Sequence, residues 1–349
     1  MIDWITAHVD LDLFAEADRA RLLLQSDRIL RYCPRTGEQR YETTAWDSVR
    51  SDSHAVVCRV TGDGLWVQGS PARVIGDGDT VFSSGASAAE DVAGCLDRMV
   101  AFLYDQLGAE IHGERPSLYA WQITRVDITR HLALDSLAEV RQLLSFLRNA
   151  EGGRYRVNQP DGDTVYWNKT SRYKKAKAYA KGPHLRYASK KAGYSGREYT
   201  ETELMLADRL IRLELTIFNR HWQKNLQIAH WQDLTPDELD KAWASHFDQF
   251  IGQTIMNDEE LKTRIEAAAP TPGQAKAAYV CWYLIKSMGW EMAKENTART
   301  TWYRNMKILR DAGLKVTDIG NGKVIPFRVQ KVVAGQRIGS WGELRRLAA

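Results

Sequence analysis

The segment that most constrains the fold runs from Thr164 to Leu185 and has the sequence TVYWNKTSRYKKAKAYAKGPHL. A strand-like start, a polar middle and an alternating end predict a β-hairpin. No acidic residue occurs from Thr164 through Arg197, and aromatic rings alternate with cations, which suits a phosphate backbone with stackable bases. A solvated basic hairpin without a ligand would carry the same charge. The candidate DNA-binding cations here are Lys169, Arg172, Lys174 and Lys175.

The second half of this hairpin contains a tyrosine between lysines. Side chains two apart share a face of a strand, so Lys177, Tyr179 and Lys181 are expected to project together. A tyrosine hydroxyl, with a pKa of about 10, is a poor nucleophile at neutral pH. Flanking ammonium groups and a nearby metal ion would favour the phenolate. The spacing suits attack by Tyr179 on a phosphodiester, with Tyr173 and Tyr187 as alternative nucleophiles.

Six short blocks along the chain resemble the replication initiator of filamentous bacteriophages, the gene-two/gene-X family. They are SPARV at 70–74, VF at 81–82, ITRVDIT at 123–129, TVYWNKTSR at 164–172, AYAKGPHL at 178–185 and IRLELTI at 211–217. Members of that family, like plasmid rolling-circle initiators, nick one DNA strand with a tyrosine and a divalent metal ion. The resemblance therefore implies a nickase-like catalytic domain that cuts a replication origin.

A strand is predicted over residues 118–132, followed by a helix with an apolar stripe, which indicates an α+β sheet. Arg125 and Asp127 lie on the same face of that strand. Asp127 is a candidate oxygen ligand for a hard cation, and Arg125 would hold a carboxylate or a phosphate. An ion pair between the two at the edge of a strand is the alternative.

A further strand is predicted over residues 210–218, where apolar and polar residues alternate. Burial of the apolar set places Arg212 and Glu214 together on the polar face of this strand. Asp127 is expected on the same kind of polar face of its own strand. Arg212 is a candidate DNA-binding residue. An exposed Glu214 that simply pairs with Arg212 is the alternative.

Two carboxylates and an imidazole would form a metal site if the sheet brings Asp127, Glu214 and His184 together. Such a set suits Mg²⁺ or Mn²⁺, which would polarise the scissile phosphate. His184 stands where the phage family has Glu, so the preferred metal is open and His184 is alternatively a structural residue. The His-x-His pair of the wider nickase superfamily does not occur in this sequence.

From Arg220 onward the pattern becomes helical, with Pro270 and Pro272 marking a linker. Two helices around a break, followed by a strand over 324–333, are compatible with a winged helix-turn-helix that presents Arg299 and Arg304 to DNA. A helical unit that packs on the catalytic domain is the alternative. The predicted organisation is a catalytic domain at 1–225, a helical connector at 226–269 and a C-terminal recognition or packing domain at 270–349.

The net charge of +4 is modest, so affinity for DNA must come from local patches. Four scattered cysteines argue against a zinc site and against disulfides, and they favour a cytoplasmic protein, in a bacterial host cell. No signal peptide and no apolar run of about 20 residues is present, so no membrane partner is expected.

The resemblance to the phage initiators, together with these patterns, implies a metal-dependent rolling-circle initiator. Tyr179 would form a 5′-phosphotyrosyl link and free a 3′-OH at single-stranded or supercoiled origin DNA, with Lys177 and Lys181 neutralising the phosphate. A host helicase and polymerase would continue the reaction. A non-cleaving, sequence-specific DNA-binding regulator is the second hypothesis. A tyrosine recombinase ranks last, because the H-x-x-R match at 112–115 runs directly into Pro116.

Overall fold

A nine-stranded antiparallel sheet lies at the centre of the computed structural model. The structure describes residues 1–25, 28–44, 47–51, 54–75, 79, 81–82, 91–108, 111–149, 162–191, 197–247, 258–314 and 336–348. The strands are β1 (Ile2–Asp10), β2 (Arg28–Tyr32), β3 (Gln39–Thr44), β4 (Asp47–Ser51), β5 (His54–Val60), β6 (Gly64–Gly69), β7 (Gln122–Ala133), β8 (Thr164–Trp167), β9 (Lys174–Ala180), β10 (Leu210–Phe218) and β11 (Gln336–Ile338).

The spatial order of the sheet is β4-β5-β6-β1-β7-β10-β9-β8, and β11 pairs with the last part of β7. Every pairing in this sheet is antiparallel. The predicted α+β class with an antiparallel sheet is therefore confirmed. The strands β2 and β3 form a separate two-stranded sheet.

Helices surround the sheet and form a second unit near the C-terminus. They are α1 (Glu16–Gln25), α2 (Pro71–Ile75), α3 (Val92–Gln106), α4 (Leu137–Asn149), α5 (Lys181–Ser189), α6 (Glu201–Ala207), α7 (Asn219–Asn225), α8 (Pro236–Phe247), α9 (Asp258–Ala268), α10 (Pro272–Met288), α11 (Trp290–Glu295), α12 (Arg299–Asp311) and α13 (Trp341–Ala348). Each helix within the described ranges is too short or too polar to cross a bilayer.

One face of the central strands is apolar and is covered by helices. Ile211 and Leu215 of β10 are fully buried in one core cluster with Leu144 of α4 and Trp243 of α8. Burial of each such side chain contributes about 1.5–3 kcal/mol to folding. Because side chains alternate along a strand, this packing turns the polar residues of β10 to the opposite face.

The predicted domain boundaries need correction at both ends of the connector. Trp243 of α8 belongs to the core of the sheet domain, and its Nε1 donates a 3.4 Å hydrogen bond to the Leu213 carbonyl. At the C-terminus, Ile338 and Leu344 pack beside Leu210 of β10. Residues 226–247 and 336–348 therefore belong to the sheet domain, because their apolar side chains are buried against it.

A second core joins α9, α10, α11 and α12. The predicted linker around Pro270 and Pro272 is a short turn between α9 and α10, where the Thr271 hydroxyl accepts a 3.3 Å hydrogen bond from the Gln274 N–H. Ile265 and Ala275 on its two sides lie in the same core, so it does not separate domains. The strand predicted over 324–333 lies outside the described residues.

Candidate active site

The register of the central strands brings the polar side chains together. Tyr179 of β9 lies opposite Arg212 of β10, and Lys177 lies opposite Glu214. On the other side of β10, Thr216 lies opposite Asp127 of β7. Alternate residues of neighbouring antiparallel strands share a face, so the sheet presents one continuous polar surface here.

Glu214 is the centre of this polar surface. The Tyr179 hydroxyl donates a 2.7 Å hydrogen bond to Glu214 Oε1, and Lys177 Nζ lies 2.5 Å from Glu214 Oε2. Arg212 Nε is 3.0 Å from Glu214 Oε1. The carboxylate therefore binds the candidate nucleophile and two cations at once, which satisfies a charge that is only 2% exposed.

Tyr179 is buried, yet it lies among polar groups and not in the apolar core. Burial raises the pKa of Tyr179 well above its usual value; Arg212 opposes the rise, and the charges of Glu214 and Asp3 add to it. The expectation that neighbouring lysines would favour the phenolate is wrong for the free protein. Desolvation and the nearby carboxylates outweigh the cations, so the phenol stays protonated and acts as a donor.

Arg212 is 1% exposed and forms an ion pair with Asp3 of β1 as well as with Glu214. Its predicted role as a surface contact for DNA needs correction, because the guanidinium is enclosed between two carboxylates. Burial would raise the pKa of Asp3, but Arg212, Lys177 and Lys181 outweigh it and lower that pKa. Arg212 therefore keeps Asp3 ionised inside the protein.

Asp127 has a different partner. Its two carboxylate oxygens accept hydrogen bonds from Arg125 Nε and Nη2, at 2.8 Å and 2.5 Å. Burial raises the pKa of Asp127, and Arg125 opposes that rise. The ion pair that the sequence offered as the alternative is thus present, and it occupies both oxygens of Asp127.

The strand that carries Tyr179 ends at Ala180, so Lys181 begins a helix and does not continue the strand as predicted. Gly182 allows this turn, since a Cβ there would collide with Asp208 Oδ1 and would lie 2.7 Å from the Asp208 backbone nitrogen. The close approach is fixed by an ion pair between Arg186 and Asp208. Glycine at this position therefore places α5 over the polar face.

Lys181 and His184 of α5 both face Tyr179. Lys181 is 1% exposed; burial lowers its pKa well below the usual value, Arg212 lowers it further, and Asp3 opposes the change. The His184 ring centre lies 4.8 Å from that of Tyr179. Removal of water around the imidazole, and then the positive charge of Lys181, lower the pKa of His184. His184 is therefore a neutral imidazole at pH 7.

A cavity of about 340 Å³ opens beside these groups. Its walls include Asp3, Asp79, Lys177, Tyr179, Lys181, His184, Arg212 and Glu214. Asp3 and Asp79 were not among the predicted site residues. Asp3 could have been found as a carboxylate within an otherwise strand-like N-terminus, whereas Asp79 follows no periodic pattern. It is fixed by hydrogen bonds from Tyr199 Oη at 2.8 Å and Trp341 Nε1 at 2.6 Å.

Within the described ranges, no three side chains of His, Cys, Asp or Glu form an arrangement that could hold a metal ion. The site that combines Asp127, Glu214 and His184 therefore stays a prediction. Asp3, Glu214 and neutral His184 do line one cavity, and carboxylate oxygens are the donors that hard cations prefer. These types of donor fit such an ion. In the free protein, basic side chains neutralise the negative charge of the carboxylates.

The predicted DNA-binding cations of the hairpin lie at its surface. Lys169 and Arg172 are exposed in the turn between β8 and β9, and Lys174 and Lys175 are half-buried. Lys169 Nζ lies 5.2 Å from the centre of the Tyr166 ring. Cations and rings are thus interleaved here in space as they are in sequence.

The helix α12 carries the remaining two predicted contacts. Arg299 and Arg304 are both exposed, while Trp302 and Met306 of the same helix are buried. Three residues separate α11 from α12. A basic helix after a short turn is compatible with the predicted helix-turn-helix.

Comparisons of the sequence with known proteins agree on one family. A family profile described as the N-terminal part of the phage replication-associated protein, the gene-two protein, matches residues 1–236, which include every residue that lines the cavity. The replication-associated gene-two protein of Enterobacteria phage I2-2 is 24% identical over 354 residues, covering 94% of this chain and 92% of that protein. Among solved structures, a rolling circle replication initiator protein from Geobacillus stearothermophilus is 13% identical, with a TM-score of 0.33 over 74% of this chain and 88% of that one.

Proposed function

The chain belongs to the family of phage replication-associated gene-two proteins, and from that premise we propose that it initiates rolling-circle DNA replication by nicking one strand of an origin. The observation that carries the proposal is the hydrogen bond from Tyr179 to Glu214 at the wall of a cavity. A hydroxyl paired with a carboxylate beside several cations is an arrangement suited to attack on a phosphodiester.

In the proposed reaction, Tyr179 Oη attacks phosphorus and the bond from phosphorus to the 3′ oxygen breaks. The phenol proton passes to Glu214, and the departing 3′ oxygen takes a proton from water. The products are a 5′-phosphotyrosyl link and a free 3′-OH. Because the pKa of Tyr179 is raised, proton transfer to Glu214 must accompany the attack and not precede it.

Cations on the cavity wall would stabilise the negative charge that develops on the phosphate. Lys177 stands beside Glu214, and Lys181 Nζ lies 6.0 Å from the centre of the Tyr179 ring. Burial lowers the pKa of Lys181, whereas an entering phosphodiester anion would favour the ammonium form, so bound DNA would strengthen the positive charge at this position.

We further propose that the cavity binds a divalent ion, Mg²⁺ or Mn²⁺. Among the cavity residues, Asp3 and Glu214 offer carboxylate oxygens and His184 a neutral imidazole, and a bound ion would have to draw these groups together, because they form no metal-binding arrangement in the free protein. When bound, such an ion supplies positive charge that polarises a phosphate oxygen.

The DNA partner would be single-stranded or supercoiled origin DNA, which the exposed cations Lys169 and Arg172 would guide towards the cavity. A host helicase would then unwind the duplex, and a host polymerase would extend the 3′-OH, in the bacterial cytoplasm. Exposed Arg299 and Arg304 on α12 would contribute to recognition of the origin.

The identity of the peptide that stays attached to DNA after nicking tests the proposal. The full chain is incubated with a labelled single-stranded oligonucleotide and Mn²⁺, digested with trypsin, and the DNA-linked peptide is sequenced by mass spectrometry. The proposal requires the peptide that contains Tyr179. A link at Tyr173 or Tyr187 would reassign the nucleophile.

A non-cleaving regulator of transcription or replication is the second candidate, because the basic surface of α12 needs no catalytic tyrosine. The same incubation separates the two functions. A regulator would shift the mobility of the DNA in a native gel but would leave no covalent adduct in a denaturing gel.

A further inference from the structure

The strands β2 and β3 and their turn, residues 28–44, form an arm that we call the β-ribbon. Its strands pair only with each other among the described residues, with Ile29 opposite Thr43 and Arg31 opposite Tyr41. All five residues of β2 are exposed, as are the first four of β3. Both faces of the β-ribbon are therefore open to solvent. A two-stranded hairpin of this kind has only marginal stability by itself in water.

The open faces combine positive charge with apolar and aromatic groups. Residues 28–44 contain four arginines and two glutamates, so the β-ribbon carries a net charge of +2. Four large side chains between the cations are 44–52% exposed: Ile29, Leu30, Tyr32 and Tyr41. Positive charge on an exposed, extended surface attracts a polyanion such as DNA.

The arginines differ in their partners. Arg28 forms an ion pair with Glu42, and Arg40 Nη2 lies 3.3 Å from Cys33 Sγ. Among the described residues, Arg31 and Arg35 take part in no ion pair. Arg40 likewise takes part in no ion pair among the described residues, but its guanidinium contacts the Cys33 sulfur. The guanidinium groups of Arg31 and Arg35 are therefore the two that the β-ribbon offers to a partner.

Backbone hydrogen bonds close the turn that carries Arg35 at the tip. The Cys33 N–H donates to the Glu38 carbonyl at 2.8 Å, and the Gly37 N–H donates to the Cys33 carbonyl at 2.9 Å. Gly37 has a φ of +71°, which other residues rarely adopt. A preformed tip loses little conformational entropy when it binds.

We propose that the β-ribbon inserts into the major groove of duplex DNA and that Arg31 and Arg35 contact phosphates there. Two strands lie about 4.8 Å apart, and the major groove, about 12 Å wide, admits a two-stranded ribbon. The proposal rests on the proposed function, which gives the protein an origin to hold. The β-ribbon would be a duplex-binding element separate from the cavity, from the basic hairpin at 164–185 and from α12.

Binding to a labelled random-sequence duplex of about three helical turns, measured by fluorescence anisotropy at several salt concentrations, tests the proposal. We expect Arg31→Ala/Arg35→Ala in the full chain to weaken duplex binding about tenfold and to reduce the slope of log K against log salt by about 2. Affinity for a single-stranded oligonucleotide should stay within about twofold, because the β-ribbon fits a groove.

Two further variants serve as controls. Arg31→Lys/Arg35→Lys keeps both charges and should retain most of the affinity and the salt slope. Arg98→Ala/Arg346→Ala removes two exposed arginines on α3 and α13 and should leave the slope unchanged. Equal thermal melting of all variants would show that the fold is intact.

An unchanged duplex affinity and salt slope for Arg31→Ala/Arg35→Ala would overturn the β-ribbon proposal, whatever the nicking activity. Failure of the unaltered protein to form a covalent adduct would instead overturn the proposed function. The duplex measurement involves no cleavage, so the two failures are distinguishable.

Discussion

The Tyr179 hydroxyl and the Glu214 carboxylate, 35 residues apart in sequence, are joined by a 2.7 Å hydrogen bond across the β9–β10 pair. The bond places a proton acceptor on the candidate nucleophile, and Lys177 and Arg212 share the same carboxylate. The candidate nucleophile, its base and two cations thus meet at one carboxylate. A single substitution can remove each of these groups separately.

Tyr179→Phe should abolish the covalent protein–DNA adduct, because the only group lost is the attacking hydroxyl. Glu214 keeps its contacts with Lys177 and Arg212, so the fold should survive. A denaturing gel with labelled DNA measures the adduct. The exposed tyrosines at 173 and 187 provide matched Tyr→Phe controls that should retain activity. An adduct formed by the Tyr179 variant would disprove the assignment.

Glu214→Gln should lower the rate of nicking by about 10²–10⁴, because the amide can still accept a hydrogen bond but cannot take the proton. The rate of adduct formation in a single turnover is the measurement. Glu203→Gln is the matched control: Glu203 is a buried carboxylate that pairs with Arg197 outside the cavity. Equal rates for the two variants would remove Glu214 from the mechanism.

Gly182→Ala should destabilise the protein by about 1–3 kcal/mol and weaken nicking, since the new Cβ would meet backbone and side-chain atoms of Asp208. Displacement of α5 would move Lys181 and His184 away from the cavity. Gly273→Ala in α10 meets no atom within 4 Å and should be neutral or slightly stabilising. Urea unfolding followed by circular dichroism compares the two. Similar stabilities would show that α5 adjusts to the added methyl group.

Replacement of the cavity carboxylate Asp3 by Asn should raise the Mn²⁺ concentration needed for half-maximal nicking by about 10–100-fold if it helps to hold the ion. Asp127→Asn should have a smaller effect, because Arg125 occupies both oxygens of Asp127. Titration of nicking with Mn²⁺ gives the two values. A larger shift for Asp127→Asn would restore the ligand role that the sequence suggested.

Acid should destabilise the protein through two buried histidines. Burial lowers the pKa of His131 well below 6.5 and lowers the pKa of His246 to about 3. Below pH 6.5 the unfolded chain binds these protons first, so stability falls by up to about 1.4 kcal/mol per pH unit for each histidine. Urea unfolding between about pH 7 and pH 5 measures the slope. His131→Gln should reduce it, and an unchanged slope would contradict this account.

Much of the candidate site was accessible from local patterns. The alternation of residues 210–218 predicts correctly that Glu214 lies on the polar face of β10. The alternation around Lys177 and Tyr179 likewise predicts that these two side chains share the polar face of β9. A period of two is a property of each strand alone, so no knowledge of its neighbours is needed. The α+β class follows from the same patterns.

The convergence of these side chains was decided by tertiary structure. Which strands are neighbours, and in which register, depends on contacts between distant parts of the chain, such as Asp3 with Arg212. The helical start at Lys181 depends on the close approach of Gly182 to Asp208, and the burial of Arg212 depends on carboxylates from two strands. The sequence by itself determined the polar and apolar faces of β9 and β10. Long-range packing ended β9 before Lys181 and set the environment and the pKa of each group, because desolvation depends on everything that surrounds it.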